Sequence, residues 1–82
     1  MSRFNSPAEV LAAAEKWAAQ LYRNNLEKGH ALNPYCTPGA IAEFDHGFNG
    51  DPRRSWDIPV EWDFRYQAGA AVRRLVDQKV AA

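Results

Sequence analysis

Three prolines divide this chain. Pro7, Pro38 and Pro59 each stand close to where an apolar stretch begins, and a proline in the first helical turn gives up no amide hydrogen bond that the helix would have made. The punctuation around them agrees. Ser6-Pro7-Ala8-Glu9 reads as a helix start, with Ser6 as cap and Glu9 closing a capping box. Thr37 caps the second helix, and Gly50-Asp51-Pro52 ends it. No stretch alternates as a strand would, and no hairpin turn is present. The sequence therefore predicts an all-α fold: a small three-helix domain spanning 1–82, with helices at about 7–28, 38–49 and 59–80.

The apolar faces come from a period of about 3.6 residues. In the first helix they are Val10, Ala14, Trp17 and Leu21, with Leu11, Ala18 and Tyr22 beside them; Lys28-Gly29 is its expected stop. In the second helix Ile41, Phe44 and Phe48 make one stripe. Gly47 sits inside it at a cost of about 1 kcal/mol relative to alanine, which predicts a close neighbour. The third helix would bury Val60, Phe64, Ala68, Ala71 and Leu75, flanked by Val72 and Val76, with Trp62 and Tyr66 off that stripe. A faint echo sets Phe44-Asp45-His46-Gly47-Phe48 beside Phe64-Arg65-Tyr66-Gln67-Ala68-Gly69, matching at too few positions to be a repeat.

Between the first two helices lies a connector containing Asn33-Pro34-Tyr35, because Pro34 holds Asn33 in extended geometry. Eight residues separate Tyr35 from Phe44, and Gly47-Phe48 follows. This block, with Tyr22 and Gly29 ahead of it, resembles the ribosome modulation factor family over residues 22–50. Phe44 stands where that family tends to have tryptophan. The resemblance implies two helices joined by a proline-containing connector. It also implies a protein that binds the small ribosomal subunit near the mRNA path, silences translation and promotes ribosome pairing. Asn33, Pro34, Tyr35, Phe44, Gly47 and Phe48 carry it, as scaffold, with Tyr35 packed across the helix pair and Gly47 admitting the preceding helix. The best-known members are short and strongly basic and have cysteine where this chain has Asn33. Here the net charge is zero, and a third helix is added.

Nothing in the pattern calls for catalysis. Cys36 precedes a helix N-terminus, which favours a thiolate, and His30 and His46 are the residues able to approach it. No orienting third group or oxyanion hole accompanies them. His30, Cys36, Asp45 and His46 lack the paired spacing of a zinc site, and Gly47-Phe48-Asn49-Gly50 is not a phosphate loop. The sequence thus predicts a non-enzymatic regulatory protein with no catalytic residues, no metal and no cofactor.

Charge and aromatics frame the partner. Six acids lie between Glu43 and Asp63 (Glu43, Asp45, Asp51, Asp57, Glu61, Asp63), against Arg53 and Arg54. Beyond them Arg65, Arg73, Arg74 and Lys79 face only Asp77. If the partner is the ribosome or its rRNA, Arg53, Arg54, Arg65, Arg73, Arg74 and Lys79 are the candidate phosphate contacts. If it is a host protein, as for a phage-encoded or host inhibitor or adaptor, Trp56, Trp62 and Tyr66 are the candidate anchors beside an acidic patch. A homodimer through the third helix is the remaining expectation. One cysteine and no apolar run of about 18 residues predict a cytoplasmic protein with no membrane partner.

Overall fold

A computed structural model describes residues 4–26, 33–52 and 59–81 of the chain. They form α1 (Pro7–Leu21), a π-helical turn (Tyr22–Leu26), α2 (Pro38–Asn49), a 3-10 turn (Val60–Trp62) and α3 (Phe64–Ala81). Among the described residues there is no strand, and the three-helix, all-α expectation holds. No helix among them is long and apolar enough to cross a membrane. Helix α3 is central and packs against both α1 and α2.

The start of α1 matches the sequence with one adjustment. Ser6 caps α1 through a hydrogen bond from the Glu9 amide to Ser6 Oγ, 3.3 Å. The Glu9 carboxylate does not close the box on Ser6; its Oε2 accepts from the Asn5 amide one residue earlier, at 2.7 Å. Two orphan donors are still satisfied, and the carboxylate sits at the positive end of the helix dipole. At the other end the α-helix stops at Leu21 rather than near residue 28, and the backbone widens into the π turn. Lys28 and Gly29 lie outside the described residues.

Helix α2 has the predicted bounds, with Thr37 extended at its N-cap position but without the expected side-chain capping bond. Gly50 takes φ +73°, the Asp51 amide donates to the His46 carbonyl (2.9 Å), and the Gly50 amide to that of Gly47 (3.2 Å). These paired bonds with a left-handed glycine make a Schellman ending.

Helix α3 starts later than predicted. Pro59 opens only a 3-10 turn, and Asp63 then takes extended geometry at φ −84°, ψ 100°. Asp63 Oδ1 accepts from the Arg65 amide (3.1 Å), and its carbonyl accepts from the Gln67 amide (3.0 Å). Local capping by an aspartate competes with helix continuation. The break takes Val60 off the face it would share with Phe64, and Val60 is 36% exposed instead of buried. Leu11, also expected inside, is 38% exposed.

The core is narrow and built largely of small residues. Ala14, Ala18 and Leu21 of α1 meet Ala68, Ala71 and Val72 of α3, with Phe44 of α2 at 1% exposure. Of the stripe that suggested a homodimer, Ala68, Ala71 and Val72 are buried within the chain, while Phe64, Leu75 and Val76 are only partly buried and Val60 is exposed.

Gly47 and Gly69 mark where α2 and α3 cross. A Cβ on Gly47 would lie 2.0 Å from the Tyr66 carbonyl oxygen, and one on Gly69 would lie 2.1 Å from that of Phe44. The contacts are reciprocal: each glycine rests on the carbonyl of the residue three before the other. The close neighbour predicted for Gly47 exists, but it is α3 and not the preceding helix.

Candidate functional site: an aromatic groove beside Arg65

Where glycines let α2 and α3 touch, aromatic rings hold open the side between α1 and the start of α3. Trp17 sits at the edge of the α1 stripe and is half-buried because Ala14 and Ala18, not Trp17, face α3 squarely. Its ring lies 5.7 Å from Phe64, tilted 59°, and 5.9 Å from Tyr35. Phe4, ahead of the Ser6 cap, stacks on Phe64 at 6.1 Å and 9°. Tyr35 meets Phe44 edge-on at 5.9 Å. Phe4, Ala13, Trp17, Tyr35, Phe64 and Arg65 line an open groove of about 610 Å³. Among the described residues Arg65 is the only charged group lining it.

Buried groups behind the groove set its electrostatics. Glu43 Oε2 accepts from Arg65 Nη1 at 3.2 Å, with side chains 11% and 49% exposed respectively. The Arg65 guanidinium carbon lies 5.8 Å from the Tyr35 ring centre. Burial pushes the Tyr35 hydroxyl above its ordinary value. Arg65 opposes that rise, while Asp63 and Glu43 add to it.

The connector is held by Asn33. Its Nδ2 donates to the Ile41 carbonyl (3.1 Å) and to Asp45 Oδ1 (2.9 Å), while its Oδ1 accepts from the Tyr35 amide (3.1 Å). An Asx turn of this kind fixes the chain just where Pro34 denies it an amide. Tyr35 is thereby placed between Trp17 of α1 and Phe44 of α2, as its expected packing across the helix pair requires. Of the remaining motif positions, Pro34 is exposed, Phe44 is buried, Gly47 is at the crossing and Phe48 is half-buried.

Among the described residues, the candidate phosphate contacts Arg65, Arg73 and Arg74 each face a different carboxylate. Arg65 is held by Glu43. Arg73 Nε bonds Asp77 Oδ1 and Oδ2 at 3.0 and 3.2 Å, and its guanidinium lies over Phe48 at 5.4 Å. Arg74 turns the other way, toward Glu15 of α1 at 3.7 Å. Arg53 and Arg54 lie outside the described residues, as does the Lys79 side chain.

Of the candidate protein anchors, Trp62 and Tyr66 are among the described residues. Trp56 and His30 lie outside the described residues. Trp62 is half-buried in the 3-10 turn. Tyr66 ties α3 to the end of α2, its hydroxyl donating to the Asp51 carbonyl at 2.8 Å. Of the described acids Glu43 and Asp63 are buried, Asp45 accepts from Asn33, and Asp45, Asp51 and Glu61 are exposed. Cys36 is exposed, His46 lies 3.8 Å from Asp51, and no group of three metal-ligating side chains gathers among the described residues.

Sequence reasoning missed the groove as a unit. It assigned Trp17 and Phe64 to the core and Tyr35 to the scaffold, and it gave Phe4 no role. The signal within reach was the position of Trp17 at the stripe's edge. Compared with known proteins, the chain matches no protein-family model, no curated protein and no solved structure.

Proposed function

We propose that this is a non-enzymatic regulatory binding protein, acting in the cytoplasm, that engages a protein partner at the aromatic groove. The observation that carries the reading is the convergence of Phe4, Trp17, Tyr35 and Phe64 on one open cleft with a single guanidinium at its wall. Partly exposed aromatic rings on a fixed helical frame are the side chains that anchor partners at little entropic cost. Zero net charge, and carboxylates holding Arg73 and Arg74, weigh toward a protein rather than a phosphate backbone.

The test uses Phe4→Ala and Ala13→Glu, which alter the groove outside the core. A partner cross-linked to the wild type is expected to be lost from both variants, with helix content by circular dichroism unchanged. Undiminished cross-linking to both would remove the groove from partner binding.

The second reading keeps the ribosome as partner. It is supported by the residues of the family resemblance forming one folded unit, with Asn33 fixing Tyr35 and Tyr35 resting on Phe44. Sedimentation of the tagged protein in a bacterial lysate, with and without RNase, tests it. Co-migration with ribosomal particles that is lost on RNase treatment, and on reversing Arg73 and Arg74 to glutamate, is the expected result. Protein that stays at the top of the gradient would end this reading.

A further inference from the structure

We propose that the groove receives the C-terminal residue of a partner chain, with its apolar side chain among the rings and its α-carboxylate on Arg65. The proposal rests on the groove being the partner site and adds the chemistry of what enters it.

Four aromatic rings and Ala13 make the slot apolar, and Arg65 is the charged group in its wall. A purely apolar occupant would strip water from the guanidinium and return no hydrogen bond, which is unfavourable. A cationic occupant, of the kind aromatic boxes otherwise attract, would meet a fixed positive charge already seated 5.8 Å from the Tyr35 ring centre. An apolar group that brings an anion satisfies both walls.

Glu43 prepares Arg65 for this. It engages Nη1 from the buried side at 3.2 Å and is itself 11% exposed, while the Arg65 side chain remains 49% exposed. A guanidinium carries several N–H donors in a rigid fork, so one carboxylate held behind it leaves an edge for a second in front. Losing less side-chain freedom on binding favours the complex. Asp63 is engaged in the cap of α3, with Oδ1 on the Arg65 amide.

The spacing selects a chain end. Arg65 and the rings line the same slot, so anion and apolar group must belong to one residue-sized unit. No unmodified internal residue of a peptide offers both, since Asp and Glu lack the apolar body and Phe or Leu lack the carboxylate. A C-terminal Phe or Leu offers both. The groove's 610 Å³ falls within the range of about 300–1,000 Å³ typical of ligand clefts, and its open side gives the rest of the partner chain a way out.

The probes are N-acetyl-Leu-Phe as the free acid and the same dipeptide as its C-terminal amide, titrated into the full chain and followed by NMR. The free acid is expected to shift the Trp17 indole and Arg65 Nε resonances, and the amide to bind about tenfold more weakly, as for loss of a charge-assisted hydrogen bond. Arg65→Lys, which keeps a charge for Glu43 but removes the fork, is expected to erase most of that preference. Should this variant unfold, the acid-against-amide ratio on the wild type still decides.

Equal binding of acid and amide at these resonances would overturn the carboxylate clamp and leave the groove as a partner site. Binding of 3-phenylpropionate as tight as that of the dipeptide acid would overturn the chain end in favour of a small aromatic acid. No shift with either dipeptide at millimolar concentration would overturn the inference outright. The groove reading is judged separately, by the cross-linking of the Phe4 and Ala13 variants.

Discussion

The two faces of α3 are packed in opposite ways. Toward α2 the contact is backbone on backbone, with Gly47 and Gly69 each seated on the other helix's carbonyl. Toward α1 it is alanine on alanine at the centre and ring on ring at one end, where Trp17, Tyr35 and Phe64 hold the elements apart. The first arrangement has no side chain that can yield. The second has several, and it leaves space. A small domain can thus keep one seam rigid and use the other for recognition, and a rigid seam at α2 and α3 fixes Arg65 and Tyr35 relative to each other.

The largest expected effect tests the rigid seam. Replacing a mid-helix glycine by alanine ordinarily stabilises by about 1 kcal/mol. At Gly47 or Gly69 the new methyl group would meet a carbonyl oxygen near 2 Å. Overpacking costs about 1–3 kcal/mol and sometimes more, so each single variant should be destabilised and the double variant should lose about 3 kcal/mol or more. Urea unfolding measures this, and a double variant as stable as the wild type would erase the distinction between the two seams.

An intermediate effect belongs to the open side. Phe4→Ala removes one ring from the groove at a position outside the helices, losing its stack on Phe64. Burial of part of a phenylalanine is worth about 1 kcal/mol at 25 cal/mol per Å², so the melting transition should move slightly while groove binding falls sharply. A loss as large as that of the glycine variants would mean that Phe4 belongs to the core.

The smallest effect sharpens the picture of Tyr35. Its hydroxyl is raised above 10.0, first by burial and then by Asp63 and Glu43, with Arg65 opposing. A raised acid binds its proton more tightly when folded, so this contribution is complete below about pH 10 and is lost as pH rises through the folded value. Stability should decline only on the alkaline side. In the Arg65→Gln variant the ultraviolet phenolate signal of Tyr35 should appear at still higher pH, since the opposing positive charge is gone. An earlier appearance would show that the guanidinium does not act on this ring.

Much of the fold was legible because its signals are local. Thr37-Pro38 and Gly50-Asp51-Pro52 define α2 to the residue, and Ser6-Pro7 fixes the start of α1. The start of α3 was misread because Val60 and Phe64 keep helical spacing, whereas Asp63 between them captures the Arg65 amide. Gly47 announced a close approach, but the backbone it meets, at Tyr66 and Ala70, is far along the chain. No local pattern names a partner at that distance. The groove was the least legible part. Its residues come from the N-terminal segment, α1, the connector and α3, and each alone reads as core or linker. Only the fold brings them to one place.

The crossing of α2 and α3 also acts during folding, as a register mark. A slide of one helical turn, about 5.4 Å, would bring Glu43, Phe44, Arg65 or Tyr66 to the point where only hydrogen fits. Both notches close together at a single axial offset, so two sliding helices meet one deep stop and shallow alternatives on either side. A chain with a core of alanines offers few large knobs to set alignment. This one sets it by what two residues lack.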